Sequence, residues 1–389
     1  MTDRLTQLLQ QGVTIHCPEL VDIGSEVNPA RIGRDVVLHP GTRLRGANTL
    51  IGDNCIIGEE APATLDDCAL GAGVNFRGGY ANRSVFLDKV TVGSEARIRP
   101  GCLLEEHSSV AHCVGLKQTI MMPYAEVGSL VNFCDVLLAG GTGRHDHSEV
   151  GSSFVHFNFT PTGSKATASL FGDVPRGVFL RQPRIFVGGQ SGAVGPLRVG
   201  YGTVIGAGSL LREDVPDGQF VITESSQAVS RPVAIPGKIS PKRLAIVIHH
   251  NVNYIAQLRA LRLWYTTVRA ALIDQAQLIE AAVAVLDSAL TERVQRLDIF
   301  AKAIDPQLES HRQVADRIET FIETALAVEL PVDQAVVDSI TGQKKPYLES
   351  LISLDDDTVK AGSIWLQSAV DSVIQAALAT VPALDCSAV

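Results

Sequence analysis

The sequence predicts a mainly β fold in two parts. Residues 1–235 are expected to form a left-handed parallel β-helix of hexapeptide repeats, and residues 236–389 an α-helical C-terminal domain. In the first part, aliphatic residues recur at every sixth position, and all but two of the 34 glycines lie at or before Gly237. Beyond that point the chain is rich in Ala and Leu. A length of 389 residues also exceeds what one core usually holds, so two domains are expected.

The six-residue repeat predicts a three-sided coil. A helix cannot use this step, because 3.6 residues per turn would spread the aliphatic side chains around its whole surface. If each flat face takes six residues, the aliphatic side chains of stacked coils form one continuous buried column. With strands about 4.7 Å apart, residues 20–230 would give roughly ten coils. A β-sandwich, the alternative, would alternate with a period of two. The repeats in phase are Ile32, Leu38 and Leu44; Val92, Ile98, Leu104, Val110 and Leu116; Val127 and Phe133; and Val199, Ile205 and Leu211.

The second part has the apolar spacing of helices. Residues 243–273 place apolar side chains three and four positions apart, as in an amphipathic helix with a broad apolar face. Before this stretch, Pro236, Gly237 and Pro241 interrupt any regular element and predict a linker. Further helices are predicted at 275–303, 307–330, 332–341 and 358–380.

Composition limits the partners and the location. The chain has 33 Lys and Arg against 42 Asp and Glu, a net charge of -9, which would repel a nucleic-acid backbone. No segment approaches the roughly 18 apolar residues of a membrane span, and the N-terminus does not read as a signal peptide. The seven cysteines form no C-x-x-C pair and are odd in number, so reduced thiols are expected rather than disulfides. We therefore expect a cytoplasmic protein with no nucleic-acid partner and no membrane span.

Several common catalytic motifs are missing from the sequence. It contains no G-x-x-x-x-G-K-[ST] loop, no G-x-G-x-x-G opening a helix and no G-x-S-x-G elbow. Nucleotide hydrolysis, dinucleotide binding on a Rossmann fold and serine esterase chemistry therefore lack their parts.

A set of short motifs does carry a family resemblance. The chain reads A-R-I-R-P-G at 96–101, V-G-L-K at 114–117, V-H-F-N-F at 155–159, I-F-V-G-G at 185–189 and I-G-A-G at 205–208. From about residue 96 to residue 215, the sequence resembles the acetyltransferase half of the bifunctional bacterial family that makes UDP-N-acetylglucosamine. The resemblance covers roughly a third of the chain.

The resemblance implies an activity and a set of site residues. That family acetylates glucosamine 1-phosphate from acetyl-CoA, in sites built between neighbouring β-helices, so acetyl-CoA as co-substrate and a homotrimer are implied. Arg99 and Lys117 match residues that bind the sugar phosphate, and a guanidinium fork with an ammonium can grip a phosphate dianion. The other matched positions are Asn158, Phe159 and Lys165, which line the sugar pocket, and Gly189 and Ala207, which meet the CoA arm. Phe159 stands where the family has Tyr, so one hydroxyl is missing.

The catalytic histidine is the main departure from the family pattern. Continued without a gap from Lys117, the family's G-H-L-T-Y falls on G-S-L-V-N, so Ser129 takes the His position and Asn132 the Tyr position. About ten residues later, an apparent insertion carries His145 and His147. An imidazole with a pKa near 6.5 is suited to accept a proton from an attacking amine at neutral pH. We therefore expect His145 or His147 to supply the base from a loop beside the cleft.

Two other functions stay open at this point. His107 and His112 have the five-residue spacing of hexapeptide-repeat carbonic anhydrases, in which such histidines bind zinc; this resemblance covers six residues, and the third histidine is absent. A non-catalytic protein that binds sugar nucleotides, or takes part in assembly, would keep the pocket without the base. The family's nucleotidyl-transfer domain is not found in this sequence.

The sequence thus predicts a CoA-dependent acyltransferase, with transfer of an acetyl group to an amino sugar phosphate or a nucleotide-linked sugar. No metal is expected. The helical domain would cover the cleft, extend the trimer or recruit another protein, and the sequence does not choose among these roles.

Overall fold

The first part of the chain is a parallel β-helix whose coils stack along one axis. The computed structural model describes residues 3–155, 166–224, 230, 240–304, 308–343 and 345–382. Every pairing between successive coils is parallel, and the inward aliphatic column is buried, with Val92, Ile98 and Leu104 all fully enclosed. The predicted left-handed parallel β-helix is confirmed.

Face A is a single sheet of eleven strands, one from each coil. Its strands are β1 (Thr14–Ile15), β3 (Val37–Leu38), β6 (Ile56–Ile57), β9 (Asn75–Phe76), β12 (Thr91–Val92), β15 (Ser109–Val110), β17 (Glu126–Val127), β21 (Glu149–Val150), β24 (Phe186–Val187), β27 (Val204–Ile205) and β29 (Phe220–Val221).

Faces B and C form a second sheet, because two long strands turn the corner between them. These are β16 (Gly115–Met121) and β18 (Asn132–Leu138). The other strands of face B are β2 (Asp22–Ile23), β4 (Arg43–Arg45), β7 (Ala63–Asp66), β10 (Gly79–Asn82), β13 (Ala96–Ile98), β22 (Phe154–Val155), β25 (Gly192–Ala193) and β28 (Leu210–Leu211). Those of face C are β5 (Leu50–Ile51), β8 (Ala69–Leu70), β11 (Val85–Phe86), β14 (Leu103–Leu104), β23 (Ser169–Phe171) and β26 (Arg198–Val199).

Coil length varies around the 18 residues of three hexads, and two of the longer coils carry an insertion with its own secondary structure. Val92 pairs with Val110 and Val187 with Ile205, which are regular 18-residue coils. Val127 pairs with Val150 across a coil that carries the antiparallel hairpin of β19 (Gly141–Gly143) and β20 (Asp146–His147). The next coil contains the short helix α2 (Val174–Gly177). Both insertions lie between faces C and A, because they follow the face C strands β18 and β23.

The remaining helices are α1 at the N-terminus and a C-terminal set that the linker precedes. They are α1 (Asp3–Gln10), α3 (Pro241–Trp264), α4 (Ala270–Leu272), α5 (Ala276–Lys302), α6 (Glu309–Ala327), α7 (Gln334–Thr341), α8 (Tyr347–Ile352) and α9 (Asp356–Ala379). A π-helical segment, Tyr265–Arg269, joins α3 to α4. The predicted domain boundary at 235/236 falls outside the described residues and stays a prediction.

The C-terminal helices pack on face C of the β-helix. On this face the outward positions are apolar and buried in successive coils, with Val85 2%, Leu103 0%, Ile120 1% and Leu137 0% exposed. Helix α5 contacts β8, β11 and β14, and α3 contacts β23. Two consecutive apolar residues per strand, instead of one, fit a face that is covered on both sides, although strands at the end of faces A and B share this pattern with exposed outward residues. Faces A and B keep their outward polar residues in solvent.

Candidate active site

Two predicted phosphate ligands lie side by side on face B. Ile98 pairs with Leu116, and the N–H of Arg99 donates to the carbonyl of Leu116 at 2.8 Å, which keeps Arg99 beside Lys117. Neighbouring strands are about 4.8 Å apart, so the two cationic side chains leave the face close together. Arg99 is exposed and Lys117 half-buried. The two residues that the sequence predicts to act together are therefore neighbours in the structure.

Helix α5 reaches the same part of face B, which the sequence did not reveal. The ammonium of Lys117 lies 3.3 Å from Oε1 of Glu292, and Glu292 also accepts a hydrogen bond from Nε of Arg296 at 3.0 Å. Although burial opposes it, contact with Arg296 and Lys117 lowers the pKa of Glu292. Next to it, Arg293 forms a buried ion pair of 2.6 Å with Asp135 at the corner of β18. Helix α5 therefore brings the negative charge of Glu292 and the positive charge of Arg293 to the edge of the predicted site.

Asn132 is the first residue of the face B strand in the next coil. It is exposed and pairs in register with Gly115, which in turn pairs with Arg97. A Cβ added at Gly115 would lie 2.9 Å from Nδ2 of Asn132, so the amide leans over the glycine. Arg97 is exposed and stacks on the ring of Tyr80 at 5.0 Å. Gly115 thus lies at the floor of a polar depression bordered by an arginine and an amide.

The corner between faces A and B carries the predicted CoA positions. Each of these residues is the second after a face A strand, so that they stack in one column, which we call the AB column. Its members are His112, Ser129, Ser152, Gly189 and Ala207. Backbone bonds tie the column together: Leu130 N–H donates to the His112 carbonyl, and Gly208 N–H to the Gly189 carbonyl. Ala207 is exposed and Gly189 partly so, which leaves that end of the column open.

Ser129 and His112 are hydrogen-bonded neighbours in the AB column. Ser129 Oγ lies 2.8 Å from Nδ1 of His112, and the imidazole is exposed. Sequence reasoning placed Ser129 at the family's histidine position and considered His112 only as a zinc ligand. Their separation of 17 positions in the sequence hid the pairing, because only coil closure brings the two side chains together.

The hairpin that carries His145 and His147 lies at the corner between faces C and A. His145 is exposed. His147 has partners on both ring nitrogens: Nδ1 lies 2.9 Å from the Arg144 carbonyl and Nε2 3.4 Å from Oε2 of Glu126. Within one chain, the hairpin is at a different corner from Ser129. Either histidine would therefore join the predicted site only across an interface with another copy.

The zinc ligand pair is also divided between corners. His107 stacks on Tyr124 at 5.2 Å beside the corner between faces C and A, whereas His112 lies at the other end of face A. Across the described ranges, no group of three or more His, Cys, Asp or Glu side chains is placed to hold a metal ion. The sugar-pocket positions Asn158, Phe159 and Lys165 lie outside the described residues.

Comparison with known proteins finds curated relatives of one kind that are similar to part of this chain. The chain is 32% identical over 227 residues to the bifunctional protein GlmU of Thermotoga petrophila, which covers 58% of this chain and 45% of that protein. It is 29% identical over 220 residues to the GlmU of Carboxydothermus hydrogenoformans, covering 57% and 44%. The resemblance to the bifunctional family is confirmed and is longer than the motifs indicated. The chain spans less than half the length of these relatives, and no protein-family model matches it.

Among solved structures, the chain aligns with the Arabidopsis UDP-N-acetylglucosamine acyltransferase. The alignment covers 86% of this chain and 98% of that chain at 13% identity, with a TM-score of 0.25. None of the helices in the described part of the chain is both long and apolar enough to cross a bilayer.

Proposed function

We propose that this protein is a CoA-dependent acyltransferase, which transfers an acetyl group to an amino sugar phosphate or a nucleotide-linked sugar. The observation that carries the proposal is the arrangement of face B: Arg99 and Lys117 at its far end, Asn132 at its start, and the AB column at the corner before it. These groups belong to the stretch from about residue 96 to residue 215, whose motifs resemble the bifunctional family.

The spacing along face B suits a small phosphorylated sugar. Lys117 lies two residues after Gly115, the partner of Asn132, and two residues of strand span about 7 Å. A phosphate held by the guanidinium of Arg99 and the ammonium of Lys117 therefore leaves the sugar ring over Gly115 and its hydroxyl or amino groups near Asn132. The predicted ligands Asn158, Phe159 and Lys165 would complete the pocket.

The CoA arm is proposed to run along the open end of the AB column. Gly189 and Ala207 present little side chain there, so an extended pantetheine can approach the backbone closely. Because the groove beside the column is open on one side, we propose that a neighbouring copy closes it in a homotrimer. The described cysteines are free thiols, which supports the proposed cytoplasmic location.

Release of free CoA thiol tests the activity. Acetyl-CoA is incubated with glucosamine 1-phosphate or UDP-linked amino sugars, and the product is identified by its mass. We expect thioester consumption that depends on the acceptor, and a thermal shift with acetyl-CoA. Arg99→Ala should raise the KM for the acceptor about tenfold or more. Arg43→Ala, which changes an exposed arginine on face B three coils earlier, is the matched control and should not raise this KM.

The same assay separates the alternatives. Binding of a sugar nucleotide without any thioester consumption would replace the enzyme by a binding protein. Stoichiometric zinc that is lost in His107→Ala would support the carbonic anhydrase-like function instead. Loss of turnover in His145→Ala or His147→Ala would support the base predicted from the sequence.

A further inference from the structure

We propose that His112 is the general base of the acyl transfer and that Ser129 positions it, an inference that rests on the proposed function. The family's histidine position falls on Ser129, and in this chain the preceding coil supplies the base instead. Three features of the described residues carry the assignment: the shared column, the hydrogen bond and the exposure of the imidazole.

The shared column puts the imidazole where the reaction takes place. His112 and Ser129 occupy the same position of neighbouring coils, so their backbones are about 4.8 Å apart. Leu130 N–H donates to the His112 carbonyl at 3.2 Å, which fixes the two coils in this register. Moving the histidine by one coil thus displaces the ring along the groove without moving it to another corner. It remains on the edge that leads from Ala207 and Gly189 to Asn132.

The hydrogen bond gives the ring a defined orientation. With Nδ1 at 2.8 Å from Ser129 Oγ, the tautomer that donates Nδ1–H to the serine leaves the Nε2 lone pair free. The ring is exposed, so Nε2 can meet the acceptor in the groove. A hydrogen bond on one nitrogen with a free lone pair on the other is the arrangement that a general base requires. His147 differs, because both of its nitrogens already have protein partners.

The acceptor, the thioester and the imidazole of His112 are the only groups that the reaction needs. The amine nitrogen of the acceptor attacks the thioester carbonyl, and a C–N bond forms as His112 Nε2 takes one proton from that nitrogen. The tetrahedral intermediate collapses with cleavage of the C–S bond, and the imidazolium returns the proton to the departing thiolate. The products are the N-acylated acceptor and CoA thiol, and the imidazole is neutral again. An acceptor hydroxyl would follow the same path to an ester.

Kinetics of single variants test this assignment. His112→Ala should lower kcat about 10²- to 10⁴-fold, with an unchanged KM for the acceptor and an unchanged thermal shift with acetyl-CoA. Added imidazole should restore part of kcat in this variant. Ser129→Ala should lower kcat less, and Ser129→Thr, which keeps the hydroxyl, should restore it. His16→Ala, which changes an exposed histidine in the first coil, is the matched control and should leave kcat within about twofold.

The outcomes distinguish this inference from the proposed function. A wild-type protein that consumes thioester, with His112→Ala equally active, overturns the base assignment and leaves the acyltransferase standing. Loss of activity in His145→Ala or His147→Ala, but not in His112→Ala, gives the base to the hairpin. A wild-type protein that consumes no thioester with any acceptor overturns both. Equal melting temperatures of the variants exclude unfolding as the cause of a lost activity.

Discussion

Arg269 is a fully buried cation that joins the helices to the β-helix. Its guanidinium lies 2.6 Å from Oε1 of Glu106 and 3.0 Å from Oε2 of Glu105, at the end of a face C strand. The rings of Tyr265 and Tyr347 stack on its two sides at 4.6 and 4.0 Å. The hydroxyl of Tyr265 also donates to Glu105 at 2.6 Å. One cation thus serves two buried carboxylates, and the cluster carries one excess negative charge when both carboxylates are ionised.

This imbalance predicts a pH dependence of stability that belongs to Glu105. Burial raises the pKa of Glu105 from 4.5 to about 7, against the attraction of Arg269. Between these pH values the folded state holds a proton that the unfolded state has lost. The contribution of this group to stability therefore falls as pH rises from about 4.5 to about 7, and then levels off.

Urea unfolding at several pH values checks the prediction for Glu105. We expect the free energy of unfolding of the wild-type protein to fall more steeply between pH 5 and pH 7 than that of Glu105→Gln, which cannot titrate there. Glu309→Gln, an exposed carboxylate paired with Arg312, is the control and should keep the wild-type slope. The same slope in Glu105→Gln would contradict the assignment.

Glu292 offers a second prediction at the scale of one residue. Its carboxylate neutralises Lys117, the ammonium proposed to bind the substrate phosphate. In Glu292→Gln the ammonium is free of this competition, so glucosamine 1-phosphate should bind about 1.5- to 5-fold more tightly, the range of a partly exposed ion pair of up to about 1 kcal/mol. Calorimetric titration measures the change, and Asp287→Asn, elsewhere on α5, is the control. Weaker binding in Glu292→Gln would show that the carboxylate contacts the substrate itself.

At the scale of elements, the three faces of the β-helix differ in the outward-pointing residue of each strand. The inward residue is apolar on all of them, as in Leu116 and Val127, whereas the outward residue is buried and apolar in the middle of face C alone among the described strands. Face C therefore buries apolar side chains on both sides: the inward residues face the axis of the β-helix, and the outward residues face the helices. This second contact fixes α3 and α5 beside the prism.

A pair of identical substitutions tests the role of the outward position. Leu137 on face C is fully buried, and Leu210 on face B is 36% exposed. Leu137→Ala should lower the free energy of unfolding by about 2–5 kcal/mol, because it removes packed methyl groups and leaves a cavity. Leu210→Ala should change it by less than about 1 kcal/mol. Both values come from urea denaturation, and similar losses in the two variants would show that α5 does not seal face C.

At the scale of the whole molecule, the helices leave two faces of the prism uncovered. The outward positions of face A near its end are apolar and exposed: Phe186 36%, Val204 38% and Phe220 70%. These three residues are in register on successive coils, so they form one apolar ladder. Together with Phe154 on face B, 58% exposed, they border the corner that carries the AB column.

This exposed surface agrees with a proposed trimer. We expect the protein to sediment with about three times the chain mass of 41.5 kDa, with the apolar ladder buried between copies. Phe186→Asp should shift the protein toward a monomer and reduce turnover, because the groove then lacks its second wall. Asp316→Asn, a change on α6 away from this surface, should preserve the trimer. Sedimentation equilibrium at several concentrations measures the mass, and a wild-type monomer would refute the expectation.

The sequence by itself determined the prism and its resemblance to the bifunctional family. A six-residue aliphatic step permits little else, because the inward position recurs locally and needs no knowledge of distant residues. That Arg99 and Lys117 are neighbours followed for the same reason, because each belongs to a short motif and one regular coil separates them; their role as phosphate ligands stays a prediction.

Only the tertiary structure decided which side chains meet. Ser129 finds His112 because a coil of 17 residues closes between them, and corner insertions elsewhere change coil length without a local signal. Lys117 contacts Glu292, 175 positions away in the sequence, because α5 docks on face C and reaches over the edge of that face. Such contacts depend on the sum of loop lengths and on how one apolar face covers another, quantities that a single sequence does not contain.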